Sequence, residues 1–159
     1  MPQPTETAMP VTLHLVDKAV WASDPQVRHD LQRIYADAPA ERLAMPVDSF
    51  LRKHLEAGHF FGCARFNDRL LGALAIRIDD QAWWLSELCV RKTTRRRGVG
   101  SRLLTLVSDA ARTAGKELRT LSSQLPVADQ VLLTRLGYRL DVTGDYFVLA
   151  PPLQGGGNT

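Results

Sequence analysis

The residues best suited to chemistry form one short turn, Arg95-Arg96-Arg97-Gly98-Val99-Gly100. It follows an apolar strand-like run, Gln81–Val90, and opens the most regular helical pattern in the chain. Glycines let the backbone approach a ligand closely. The first N–H groups of the helix have no partner within it and carry the positive end of its dipole. A phosphate group suits such a site, and arginines at its rim add charge-assisted bonds, so a pyrophosphate fits. Two common phosphate loops are excluded. Leu103 stands where a dinucleotide fingerprint needs its third glycine, and no Gly-Lys-Ser/Thr follows as a Walker loop requires.

The positioning elements read as an α+β layout around one mixed sheet. Val11–Val16 alternates as a strand, and Asp24-Pro25 starts a helix carrying Val27, Leu31 and Ile34. Asp48 is expected to cap a second helix through Phe50, Leu51 and Leu55, ended by Gly58. Strands Phe60–Phe66 and Arg69–Ile78 flank a tight turn at Asn67-Asp68. In the third strand, Gln81–Val90, simple alternation places Ala82, Trp84, Ser86, Leu88 and Val90 on one face. Trp83, Leu85, Glu87 and Cys89 fall on the other. A helix over Gly98–Ala114 buries Val99, Leu103, Leu106, Val107 and Ala110, with Gly115 as its C-terminal cap. Leu118–Ser122 is a strand, and a helix through Ala128, Val131, Leu132 and Leu136 ends at Gly137. Tyr138–Val142 and Tyr146–Leu149 close the pattern as a hairpin. Residues 1–10 read as a flexible lead, 11–151 as one domain and 152–159 as a flexible tail.

Bulk properties narrow the function classes. The 159 residues, 45% hydrophobic and 23% charged, describe an ordinary globular domain. No apolar run reaches the roughly 18 residues of a membrane span. The start MPQPTETAMP lacks the basic and apolar regions of a secretion signal, so a cytoplasmic protein is expected. A net charge of +3 does not argue for nucleic acid, although five basic residues crowd Arg91–Arg97. Cys63 and Cys89 lie in apolar runs and read as small buried hydrophobes rather than a disulfide. No Cys/His spacing suggests a metal, and His14, His29, His54 and His59 pair with no nucleophile. Nothing in the sequence sets monomer against homodimer.

The Arg-x-x-Gly-x-Gly spacing after a strand ending Leu-x-Val resembles the central motif of GNAT-family N-acetyltransferases, and the order of elements resembles that fold from end to end. The resemblance implies acetyl-CoA as ligand. Its pantetheine arm would pair with Leu88, Cys89 and Val90. Its pyrophosphate would rest on the N–H groups of Arg96, Arg97, Gly98, Val99, Gly100 and Ser101, with Arg95 at the motif's first position. Two stretches, ARFNDRLLGA (Ala64–Ala73) and LCVRKTTRRRGVG (Leu88–Gly100), are similar to the PanZ/PanM family, with a weaker echo in DLQRI (Asp30–Ile34). Members of that family bind acetyl-CoA and promote self-cleavage of the aspartate decarboxylase precursor. By this resemblance Arg65 and Asn67, at the hairpin tip, face that partner; by turn chemistry alone Asn67 is simply a good turn residue. The N-terminal lead and a fuller helix over Val47–Gly58 depart from the family and bear on whether the decarboxylase can be gripped.

Acetyl transfer to an amine needs a base and often an acid for the leaving thiolate. Many GNAT enzymes place a Tyr four residues before the glycine of a Tyr-x-x-x-Gly-Phe/Tyr segment. Here that position is Leu133, in Leu133-Thr134-Arg135-Leu136-Gly137-Tyr138, and leucine donates no proton. Glu87 is the candidate base, or else a carboxylate paired with a nearby arginine. Ser122 and Ser123 could orient substrate, and Tyr146 could act as acid, though strand-end hydroxyls and strand tyrosines are commonplace. Trp83 and Trp84 read as sheet core and edge, or as a wall to an acceptor pocket. Two functions therefore stand at this level: an acetyl-CoA sensor acting on aspartate decarboxylase, and an N-acetyltransferase for a primary amine.

Overall fold

The computed structural model describes residues 10–38, 43, 45–95, 97–122 and 127–149. Elements run β1 (Thr12–Val16), α1 (Lys18–Ser23), α2 (Pro25–Ala36), α3 (Val47–Glu56), β2 (Phe60–Phe66), β3 (Arg69–Ile78) and β4 (Ala82–Val90). Then come α4 (Val99–Thr113), β5 (Glu117–Leu121), α5 (Val127–Arg135), β6 (Arg139–Leu140) and β7 (Tyr146–Leu149). The seven strands form one sheet in the order β1-β2-β3-β4-β5-β7-β6. Every pairing is antiparallel except β4 with β5, so the α+β mixed sheet expected from the sequence is present.

Two apolar clusters sandwich the sheet. On one face α4 sets Val99, Leu103, Leu104, Val107 and Ala111 against Leu74, Ile76, Trp83, Leu85 and Leu118. On the other, α2 and α3 set Leu31, Ile34, Tyr35, Phe50, Leu51 and Leu55 against Phe61, Cys63, Ala73, Ala75 and Cys89. The two cysteines are buried and form no disulfide, and burial pushes the Cys63 thiol pKa far up, as suits a small hydrophobe. No helix among the described residues is long and apolar enough to cross a membrane.

Local chemistry explains the boundaries, with three departures from the sequence reading. The Asp24 carboxylate accepts from the Gln26 and Val27 N–H groups, capping α2 as expected. The short α1, which the apolar pattern did not reveal, is capped by Asp17 accepting from Val20 N–H. Asp48 does not cap α3: the helix begins before it, at Val47 behind Pro46, and Asp48 accepts from Gln32 instead. Asn67 and Asp68 both adopt positive φ (50° and 64°), the twisted turn that a tight antiparallel hairpin favours. The closing hairpin is shorter than predicted, since Tyr138 belongs to the core and Asp141 to the turn.

Candidate functional site

The glycine turn lies beyond β4. After Val90 the chain makes a short 3-10 turn over Lys92–Thr94, and Gly98, at φ 78°, caps α4 in a left-handed conformation closed to most side chains. Among the described residues no side chain caps the N-terminus of α4. A Cβ at Gly98 would have nothing within 4 Å, and one at Gly100 would meet only Val90 Cγ2 at 3.7 Å and Leu88 Cδ2 at 3.9 Å. Packing therefore does not explain glycine at 100, whereas an anion approaching the helix start does. Gly72 of β3, opposite Val90, is different: Cys89 O, Val90 Cγ2 and Val99 Cγ1 all lie 3.3 Å from where its Cβ would be.

The basic run divides its work. Arg91 Nε and Lys92 N–H both donate to Asp37 Oδ2, at 2.9 and 3.0 Å. Burial opposes ionisation of Asp37, but these donors outweigh it and hold its carboxyl below the usual carboxylate range. Arg95 spans the Val90 carbonyl (3.2 Å) and the Asp37 carbonyl (2.9 Å), so its guanidinium braces the loop from within. Arg97 is exposed. Arg96 lies outside the described residues.

The central strand departs from simple alternation. Parallel pairing of β4 with β5 covers Ala82–Trp84 against Glu117–Arg119. Beyond it, among the described residues, β5 pairs with β7 through Thr120 and Leu121. On its other side β4 keeps β3, but Ala73 faces Cys89 while Ala75 faces Ser86, leaving one extra residue on β4. The bulge falls at Glu87, whose φ of 48° costs a non-glycine residue about 1–2 kcal/mol. Its carbonyl accepts a 2.8 Å bond from the Tyr35 hydroxyl of α2. The bulge inverts the facing of everything after it. Trp83 and Leu85 pack with α4, and so do Leu88 and Val90, while Cys89 joins the α2–α3 cluster. The alternation expected across the whole strand thus holds only before residue 87.

The candidate acid–base residues are mostly committed. Glu87 Oε1 accepts from the Ser86 hydroxyl and pairs with Arg77 Nη1 at 3.4 Å, the arginine-paired alternative. Arg77 Nη1 also donates to Ser86 Oγ at 2.6 Å. Leu133 is buried in the α4 cluster. Ser122 Oγ donates to the Gly144 and Asp145 carbonyls, fastening the closing turn, and Ser123 lies outside the described residues. Tyr146 stacks edge-on with Trp84 at 5.2 Å, and Arg119 lies over both rings. Trp83 is core, against Phe60, while Trp84 Nε1 donates to Asp79. Among the histidines only His54 is buried; its Nε2 donates to the Phe60 carbonyl, and its Nδ1 has no hydrogen-bond partner among the described residues. No group of metal-ligating side chains occurs among the described residues.

The hairpin tip stands at the Val90 end of the sheet, since β3 residue Gly72 registers with Val90. Arg65 pairs with Asp68 across the turn at 3.0 Å, and Asn67 is exposed. Just past the tip, buried Asp30 of α2 receives Arg69 Nε and Nη2 and the Leu70 N–H. Sequence reasoning assigned no role to Asp30, Tyr35, Asp37 or Arg77. Only Asp30 carried a readable signal, a carboxylate on the apolar stripe of a helix.

Comparison with known proteins agrees with this geometry. The sequence model of a family described as acetyltransferase (GNAT) domain, PanZ, matches residues 14–123. A relative named PanD regulatory factor from Escherichia coli is 37% identical over 79 residues, 50% of this chain and 54% of the relative. Its namesake from Salmonella typhimurium is 36% identical over 75 residues, 47% and 51% respectively. The chain thus spans about half the length of the curated relatives it matches. Among solved structures, aminoglycoside 6'-acetyltransferase type Ii superposes with a TM-score of 0.67 at 14% identity, over 87% of this chain and 96% of that one. A putative N-acetyltransferase, YhhK from E. coli, solved bound to coenzyme A, gives 0.59 at 24% identity over 89% and 99%. A GNAT acetyltransferase from Brucella melitensis in complex with acetyl-CoA gives 0.61 at 15% over 87% of each chain. These superpositions show the fold.

Proposed function

The chain belongs to the PanZ family of GNAT acetyltransferase domains, and on that premise we propose that it binds acetyl-CoA and promotes maturation of the aspartate decarboxylase precursor in response to it. One observation carries the cofactor reading: among the described residues no side chain caps the glycine-opened start of α4, and Gly100 there lies beside Leu88 and Val90 of β4. Leu88, Cys89 and Val90 would hold the pantetheine arm by strand-like pairing, and the N–H groups at Gly98–Ser101 would hold the pyrophosphate. When bound, the thioester supplies an activated acetyl group.

The sensing role is supported by the relatives named as PanD regulatory factors and by Leu133. A buried leucine at the usual acid position leaves nothing there to protonate a departing thiolate. Arg65 and Asn67, beside the cofactor end of the sheet, would meet the precursor. Mixing purified precursor with this protein tests the proposal: self-cleavage should accelerate only when acetyl-CoA is present. Unchanged cleavage with both additions sinks the sensing role. For the cofactor itself, Gly100→Glu should weaken acetyl-CoA binding about a hundredfold or more, because a carboxylate at the helix start repels the pyrophosphate by about 3 kcal/mol. Calorimetry showing wild-type affinity overturns the site.

A second reading, acetyl transfer to a primary amine, rests on Glu87, a carboxylate on the bulge itself. Thiol release across a panel of amines tests it. Turnover that survives Glu87→Gln removes Glu87 as base, and no release with any amine removes the reading.

A further inference from the structure

Helix α2 touches both ends of the proposed function. Near its middle, Asp30 takes four donors: Gln26 Nε2 at 2.9 Å, Arg69 Nε and Nη2 at 3.1 and 2.7 Å, and the Leu70 N–H at 3.0 Å. Arg69 and Leu70 are the first residues after the hairpin turn. At its C-terminal end, the Tyr35 hydroxyl holds the Glu87 carbonyl and Asp37 holds Arg91, Lys92 and Arg95. Between these sets lie fully buried Leu31 and Ile34. Seven residues of helix, about 10 Å, separate Asp30 from Asp37. A rigid, packed element therefore has directional bonds to the hairpin near its middle and to the cofactor strand and loop at its C-terminal end.

We propose that α2 couples the acetyl-CoA site to the hairpin tip, with Tyr35 and Asp37 as positioning residues for the cofactor and Asp30 as the joint to the hairpin. The proposal rests on the reading that β4 and the glycine turn hold acetyl-CoA. The bulge is the reason Tyr35 matters. A positive φ at Glu87 persists only where the surroundings enforce it, and the Tyr35 bond is an enforcing contact from outside the sheet. Without the bulge, the register of the last β4 residues would slip by one, and Leu88 and Val90 would leave the α4 side where Gly100 lies. Asp37 does the same for the loop, placing Lys92 by its backbone and Arg91 by its side chain. A ligand that favours one setting of this strand and loop favours one setting of α2, and through Asp30 one setting of the hairpin. Linkage then requires the converse: a partner gripping the tip tightens acetyl-CoA by the same factor.

The test uses the full chain, calorimetry with acetyl-CoA, and backbone amide resonances. In the wild type, the amides of Asn67, Arg69 and Leu70 should shift in step with that of Gly100 as acetyl-CoA is added. Tyr35→Phe, which keeps the ring in its packing, and Asp37→Asn should each weaken binding about five- to tenfold, the loss of one placed hydrogen bond. At saturating ligand their hairpin shifts should shrink, a change that loss of stability alone would not produce. If Gly100 responds but Leu70 stays still, the coupling is wrong while the cofactor site stands. Wild-type affinity and hairpin shifts in both variants overturn it equally. If neither Gly100 nor the calorimeter responds to acetyl-CoA, the cofactor reading falls and takes this proposal with it.

Discussion

The two faces of the sheet are held by different physics. On the α4 face the helix is pressed down by leucine and valine, a force proportional to area and indifferent to direction. On the α2–α3 face an apolar core of similar make-up is threaded with buried or half-buried polar groups: Asp30, Tyr35 and His54, and Asp37 at its margin. Apolar packing decides that a helix covers the sheet, and the polar bonds decide which residues it meets. The face bearing the glycine turn can therefore remain general to the fold, while the opposite face sets the geometry of this chain's strand and hairpin.

Substitutions separate the two regimes, the largest effect falling on the mainly apolar side. Leu103→Ala should cost about 3–4 kcal/mol in urea unfolding, transfer and cavity together, because Leu103 is completely buried between α4 and the sheet. A cost below about 1 kcal/mol would mean that the α4 face is not the tightly packed one.

On the polar side the largest effect belongs to His54. Burial, opposed by its bond to the Phe60 carbonyl and reinforced by Arg77 and His59, lowers its pKa from 6.5 to about 4. The sign follows from linkage: the stability is whole above pH 6.5 and drains away as pH falls through 4, up to about 3 kcal/mol. His14 and His59 are also lowered and act in the same window, so the variant difference isolates His54. Urea midpoints from pH 7 to pH 4.5 should fall more steeply for wild type than for His54→Phe, and parallel slopes refute the assignment.

Asp30→Asn comes next, at about 2 kcal/mol, because the Leu70 N–H and Arg69 lose a charged acceptor. Arg69→Ala should cost less, since its side chain is half exposed and water replaces the pair. Smallest is Glu87→Gln. Its Arg77 pair is long and open to solvent on the arginine side, so stability should move by no more than about 0.5 kcal/mol. A larger loss would show that the bulge is held by that ion pair rather than by Tyr35.

Sequence patterning revealed what repeats with the period of an element or marks its end. Val99, Leu103 and Val107 announce α4, Asp24-Pro25 announces α2, and Asn67-Asp68 announces the hairpin turn. The glycine turn was legible because its chemistry is contiguous. The bulge at Glu87 was not, since an extra residue in a strand apolar on both faces leaves no break in the pattern. Nor were Tyr35, Asp37 and Arg77, whose partners lie 52, 54 and 10 positions away and depend on register rather than spacing. The six residues of α1 are too short to show a helical period and are marked only by Asp17.

Gly72 gives the proposed cofactor site its clearance. Three atoms, one from the backbone of β4 and two from the valines that bracket the basic loop, converge at 3.3 Å on the place where any other residue would put a Cβ. A methyl group there would force these neighbours, Val99 at the start of α4 among them, to give by a few tenths of an ångström. The close approach of β4 and the start of α4 is thus permitted by a residue on β3, one strand removed from the proposed ligand, through a side chain that is missing.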